Sequence, residues 1–207
     1  METESRLTHW ENVYSSKGEN EVSWFQQNPA PSLALIAEIG AQPASAIIDV
    51  GGGASRLVDH LIERGLLDIT VLDLSAAALQ AARARLGERA SAAHWLVADA
   101  TTWEPTRTYD IWHDRAAFHF LTEEPDRTAY IVRLKQALKI GGHAIMATFA
   151  LDGPEKCSGL PVERYDAPRL AQTLGSGLRL LRSERDEHAT PWGAQQRFQF
   201  SLFQRVE

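Results

Sequence analysis

Short apolar runs alternate along this chain with longer stretches of helical periodicity, and few folds are open to a sequence with that rhythm. Ala46-Ile47-Ile48-Asp49-Val50 is closed by three glycines, and Ile69-Thr70-Val71-Leu72-Asp73 and His94-Trp95-Leu96-Val97-Ala98 follow it. Each reads as a strand buried in a parallel sheet. Between the first two, residues 56–64 set Leu57, Val58, Leu61 and Ile62 at helical spacing; between the next two, the alanine-rich stretch 76–86 turns Leu79 inward. Both read as crossover helices. Residues 109–113 predict a fourth strand. Residues 128–138 predict a helix striped by Ile131, Leu134 and Leu138 and ended by Gly141-Gly142, and 143–149 a fifth strand. A short helix over 167–174 precedes segments 178–185 and 195–203, which Thr190-Pro191-Trp192-Gly193 joins as a closing hairpin. The expected architecture is an α/β, doubly wound sheet with an antiparallel edge.

A chain of 207 residues suits one domain, and 44% apolar with 23% charged residues is ordinary globular composition. The formal charge of −6, with no cluster of Lys and Arg, argues against nucleic acid or an anionic membrane as partner. Cys157 is the single cysteine, so no intrachain disulfide forms. With no signal-like start and no apolar stretch of about 20 residues, the expected location is cytoplasmic.

The glycine-rich turn Asp49-Val50-Gly51-Gly52-Gly53-Ala54-Ser55 stands between a strand and a helix, where glycines permit close backbone approach to a ligand. Asp73 ends the next strand, the position from which a carboxylate accepts hydrogen bonds from both ribose hydroxyls in doubly wound folds. Asp99 follows the third strand, placed to accept from an adenine amine. Singly, each Asp also reads as the cap of a following helix. Together they imply an adenosine-type ligand. Asp49 facing the cleft would repel a pyrophosphate and suit a cationic group, which favours S-adenosylmethionine (SAM), with its sulfonium and amino groups, over a dinucleotide.

These pieces resemble the class I SAM-dependent methyltransferases, and more narrowly a small bacterial branch similar to thiopurine-like and protein-lysine enzymes. The resemblance covers nearly the whole chain: Asp49 to Ser55, Asp73, Asp99-Ala100, Asp110, and Leu138-Lys139-Ile140-Gly141-Gly142, where the family's usual proline is replaced by Ile140. It implies a seven-stranded sheet of order 3-2-1-4-5-7-6 with strand seven antiparallel, and SAM as methyl donor with S-adenosylhomocysteine (SAH) as product. Trp10, Tyr14, Trp24 and Phe25 lie in an N-terminal segment, 1–29, that packs on the flank of the sheet or covers the cofactor. The cofactor-binding set expected on this basis is Trp10, Trp24, Asp49, Gly51, Gly52, Gly53, Ser55, Asp73, Leu74, Asp99, Ala100, His113 and Arg115.

Methyl transfer is an in-line displacement, so such an enzyme chiefly positions a nucleophile and excludes water. The loop after strand four opens beside the methyl group in this fold, which makes His119 and Asp114 the candidate catalytic residues. His119 reads equally as a general base and as a packing histidine bonded to backbone. Asp114 and Arg115 also read as a structural ion pair. Phe118, Cys157 and His188 are expected to wall the acceptor pocket. Scattered His and a lone Cys support neither a thiol nucleophile nor a metal site. No Asn-Pro-Pro-Tyr run follows strand four, so a small molecule with an O, N or S nucleophile leads as acceptor and a protein lysine is second. An NAD-dependent oxidoreductase and a noncatalytic SAM-binding protein are the competing readings. The sequence leaves the oligomeric state open.

Overall fold

The computed structural model describes residues 3–207 and, for side chains, 6–207. Helix α1 (Thr3–Ser16) and helix α2 (Ala30–Glu38) precede the first strand. There follow β1 (Ala46–Val50), α3 (Leu57–Glu63), β2 (Asp68–Asp73), α4 (Ala76–Leu86), β3 (Ala93–Val97), β4 (Tyr109–Arg115), α5 (Glu124–Ala137) and β5 (Leu138–Phe149). A two-residue ladder, β6 (Lys156–Cys157) with β7 (Leu160–Pro161), leads to α6 (Ala167–Leu174) and the hairpin β8 (Leu178–Ala189) and β9 (Gln195–Arg205). The large sheet has seven strands in the order β3-β2-β1-β4-β5-β9-β8. Once the short ladder is set aside, that is the expected 3-2-1-4-5-7-6. β5 pairs antiparallel with β9, and β1 to β5 pair parallel among themselves.

Apolar clusters cover both faces. On one, Ile47, Ile69, Val71, Ile111 and Ile145 pack with Leu35, Leu57 and Leu61 from α2 and α3. On the other, Ile48, Val50, Trp112 and Met146 pack with Tyr130 and Leu134 of α5 and Leu170 of α6. β1 is buried along its whole length, as a central parallel strand must be.

Three features differ from the sequence expectation. Residues 3–16 are helical although no helix is expected there. Helix α5 begins at Glu124, four residues early, with Pro125 in its first turn, where a missing N–H costs nothing. It ends at Ala137, and β5 starts directly at Leu138, which pairs with Tyr109 before the register shifts toward Ile111. Gly141-Gly142 therefore lies inside β5 and does not terminate a helix. A Cβ on Gly142 would stand 2.9 Å from the Asp110 carbonyl oxygen. Among the described residues, no helix is long and apolar enough to cross a membrane.

At the end of β4 a buried polar chain holds the turn. Trp112 Nε1 donates to the Tyr130 hydroxyl at 2.9 Å, and that hydroxyl donates to Asp114 Oδ2 at 2.5 Å. Asp114 also accepts from the backbone N–H groups of Ala117 and Phe118, which fixes the chain where Ala116 takes a φ of 69°. Tyr130→Phe leaves a buried indole N–H without its acceptor and a carboxylate short of a donor. The expected cost is about 1–3 kcal/mol, read as a lower urea midpoint.

Candidate active site

The carboxyl ends of β1, β2 and β3 share one edge of the sheet, and two adjoining cavities open there. The larger encloses about 900 Å³ of empty space, part of it open to solvent. Asp73, Leu74, Asp99 and Ala100 line it at one end, and Arg115, Phe120, Phe149, Cys157 and Phe198 also contribute to its wall. Asp49, Gly51, Gly52, Ser55, Arg56 and His113 line the second. Trp24, Tyr14, Gly51 and Arg115 are walls of both, which makes the space continuous in lining.

Local chemistry sets each acid. Asp73 is buried, and its Oδ1 accepts from the Ser75 N–H at 2.8 Å. Burial pushes its pKa up to about 7 against that bond, with the negative charges of Asp49 and Glu11 adding to the rise. Asp49 is also buried; its Oδ1 pairs with His113 Nδ1 at 2.7 Å, His113 Nε2 meets Ser32 Oγ at 2.9 Å, and Asp49 Oδ2 has no hydrogen-bond partner. Asp99 Oδ1 accepts from the backbone and hydroxyl of Thr101, and Oδ2 from Arg6 at 3.1 Å. The glycine turn brings backbone against these groups: a Cβ on Gly52 would come within 2.6 Å of Asp49 Oδ2, and Gly51, at φ 69°, would drive one into Ala117.

Helix α1 roofs this edge. Arg6 binds Asp99 and, at 2.6 Å, Asp126; Glu11 accepts from the Ala76 N–H at 2.5 Å at the start of α4; Trp10 meets Phe120 edge to face. Trp24 Nε1 donates to the Tyr14 hydroxyl at 3.1 Å, and Arg115 donates to the Trp24 carbonyl. Leu7, Trp10 and Tyr14 carry the helical spacing that marks α1, a signal masked in the sequence by the polar residues between them. Arg6, Phe120, Phe149 and Phe198 line the larger cavity and were not among the sequence candidates.

Five candidates sit elsewhere and are corrected. Asp114 does not line either cavity; its carboxyl points to Tyr130 and the turn, and it makes no ion pair with Arg115. His119 is fully buried: Nδ1 accepts from the Phe149 N–H at 3.3 Å, the ring packs between Phe120 and Phe149, and burial with the nearby Arg115 charge depresses its pKa to about 3. It is the packing histidine. Phe118 packs on Tyr130 and Tyr165 beneath the loop, and Phe120 takes the place expected of it at the cavity wall. His188 donates to the Ser23 carbonyl at 2.7 Å and so ties the N-terminal segment to β8. Gly53 lines neither cavity; a Cβ on it would stand 2.8 Å from Asp73 Oδ2. Trp10, Trp24, Gly51, Gly52, Ser55, Leu74, Ala100, His113, Arg115 and Cys157 all reach a cavity wall.

Residues 47–142, which hold Asp49, Asp73 and Asp99, match the family model described as a methyltransferase domain. The match spans just under half of the chain and marks that stretch as similar to a methyltransferase domain. The chain's fold is shared by a SAM-dependent methyltransferase from Anabaena variabilis ATCC 29413 (TM-score 0.77, 13% identity, covering 98% of this chain and 94% of that one). The Burkholderia thailandensis 1,6-didemethyltoxoflavin-N1-methyltransferase, solved with 1,6-didemethyltoxoflavin and SAH, aligns at a TM-score of 0.69 and 17% identity over 98% of this chain and 85% of that one. In sequence, the chain is 34% identical over 113 residues to a trans-aconitate 2-methyltransferase of Rhizobium etli, covering 54% of this chain and 41% of that protein. A Methylobacterium radiotolerans protein of the same name is 32% identical over 140 residues, 60% of this chain and 51% of that protein. The chain thus spans about half the length of the curated relatives it matches.

The raised pKa of Asp73 makes a pH prediction. Between the ordinary carboxyl range and about pH 7 the folded chain retains a proton that the unfolded chain has released, so this group's contribution to stability falls as pH rises through that window. Asp73→Asn removes the effect: its melting temperature relative to wild type should be higher at about pH 8 than at about pH 5. A difference that does not change with pH would contradict the burial.

Proposed function

We propose that this chain transfers a methyl group from SAM to a small-molecule acceptor, releasing SAH. The observation that carries the reading is that the acids ending three neighbouring strands line one continuous space, with Asp73 and Asp99 in the larger cavity and Asp49 in the adjoining one. The residues suit the cofactor's parts. Asp49 Oδ2, buried and without a partner beside the glycine turn, suits a cationic ammonium group. Asp73, with one oxygen held by Ser75, has acceptor capacity for ribose hydroxyls; Leu74 and Ala100 give an adenine its apolar walls, and Asp99, already held by Thr101 and Arg6, is the acceptor for its amine.

When bound, SAM supplies an electrophilic methyl on a sulfonium. The chain's own work is to hold, orient and dry. Trp10, Tyr14, Trp24 and Phe120 roof the cavity with aromatic carbon and keep water from the reacting centre. The end lined by Arg115, Phe120, Phe149, Cys157 and Phe198 offers no side chain ready to take a proton at neutral pH, since burial pushes the Cys157 thiol up to about 11. The acceptor nucleophile therefore arrives deprotonated or loses its proton to solvent, and catalysis rests on positioning. The name of the trans-aconitate relatives supports a small organic acceptor over a protein lysine.

Calorimetry with SAM and with NAD tests the reading. Micromolar SAM binding and no NAD binding are expected, and Asp73→Ala should weaken SAM by about 1.5–3 kcal/mol, the range for hydrogen bonds to a charged group. Unchanged affinity in that variant would refute the ribose assignment, and NAD binding in place of SAM would replace methyl transfer by hydride transfer.

A further inference from the structure

The guanidinium of Arg115 is held by two contacts and bare along one edge. Its Nη1 donates to the Trp24 carbonyl at 2.9 Å, and its plane lies over the Phe198 ring with 4.8 Å from Cζ to the centroid. Nε and Nη2 are buried and have no hydrogen-bond partner. Those two nitrogens form the side edge of a guanidinium, where two N–H bonds run parallel at the spacing of the oxygens of a carboxylate. Buried donors of this kind cost free energy unless a ligand meets them. We infer that Arg115 anchors a carboxylate of the acceptor molecule side-on through Nε and Nη2, an assignment that rests on the methyl-transfer reading and gives its acceptor a chemical class.

Placement favours the acceptor over the cofactor. Arg115 ends β4 where the two cavities adjoin, and Phe120, Phe149, Cys157 and Phe198 surround the larger cavity's wall near it with apolar and aromatic surface. In such a wall one charge determines which polar group of a small molecule is accepted. Arg6, which lines the same cavity, is committed to Asp99 and Asp126. The second cavity has a cation of its own: Arg56 opens α3 beside Ser55 and the glycine turn, with Nη2 paired to Glu19 and Nε buried and unpartnered. The stacking of the guanidinium on Phe198, which lies in β9 opposite Asp186 of β8, places it on the hairpin side of the opening. Burial lowers its pKa to about 10, so it remains a cation at neutral pH.

The test compares acids with their uncharged amides on the full chain loaded with SAH, which carries no methyl to transfer. Succinate against succinamide and benzoate against benzamide are titrated by calorimetry into wild type, Arg115→Gln and Arg115→Lys. Wild type should bind at least one acid about 10- to 100-fold more tightly than its amide. Arg115→Gln should abolish the preference. Arg115→Lys, a point charge without the fork, should restore part of it. SAH affinity should change less than about threefold in both variants. Equal binding of acid and amide, or failure of wild type to bind any acid while SAH binds, overturns the assignment. A variant that loses SAH while keeping its preference for acids also overturns it and moves Arg115 to the cofactor. Failure of wild type to bind SAH is a different result, which sinks the methyl-transfer reading beneath it.

Discussion

Parallel pairing forces consecutive strands to end on the same side, and this constraint organises the molecule. β1 pairs parallel with β2 and β4, and β2 with β3, so the residues that leave the carboxyl ends of these strands meet although they lie far apart in the chain. Each crossover helix then starts at that edge. The backbone there is turning, with N–H groups unspent, and glycine, serine and aspartate are the residues that such turns accept. Ser75 caps α4 through the Ala78 N–H while Asp73 accepts from Ser75, so the same few residues both end a strand and face the cavity.

Carboxylates gathered at one edge repel one another and resist burial. The molecule answers with fixed donors: His113 on Asp49, the Ser75 N–H on Asp73, Thr101 and Arg6 on Asp99. At Asp73 burial outweighs the donors it has, and its pKa rises accordingly. Hydroxyl donors on a ligand would supply what the protein leaves out, which couples ligand binding to the charge state of this acid.

The N-terminal segment completes the site from outside the sheet. Its attachments come from separate parts of the fold: α4 through Glu11, the loop after β3 and the first turn of α5 through Arg6, the β6 ladder through a contact of His9 with Ser158, and β8 through His188. Trp10, Tyr14 and Trp24 pack edge to face or tilted as one group beneath these ties. A segment held at several points also positions Arg115 through the Trp24 carbonyl.

From the sequence alone, local chemistry settled the strand and helix alternation, the glycine turn, and the acids Asp49, Asp73 and Asp99, because hydrophobic periodicity and turn residues are properties of neighbours along the chain. β1, α4 and α6 stand within the expected bounds for that reason. Side-chain direction at the end of β4 is another matter. In the run from Trp112 to Leu121, Asp114, Phe118 and His119 look as chemically apt as Arg115 and Phe120; which of them face the cavity was decided by the Tyr130–Asp114 bond and the positive φ of Ala116, and Tyr130 comes from a helix folded back from 16 residues away. The roof helix was likewise settled by tertiary contacts. Residues 3–16 carry too little apolar surface to form a helix alone, and they hold that form because Arg6, Glu11 and Trp10 find partners on a sheet edge that only the complete fold assembles.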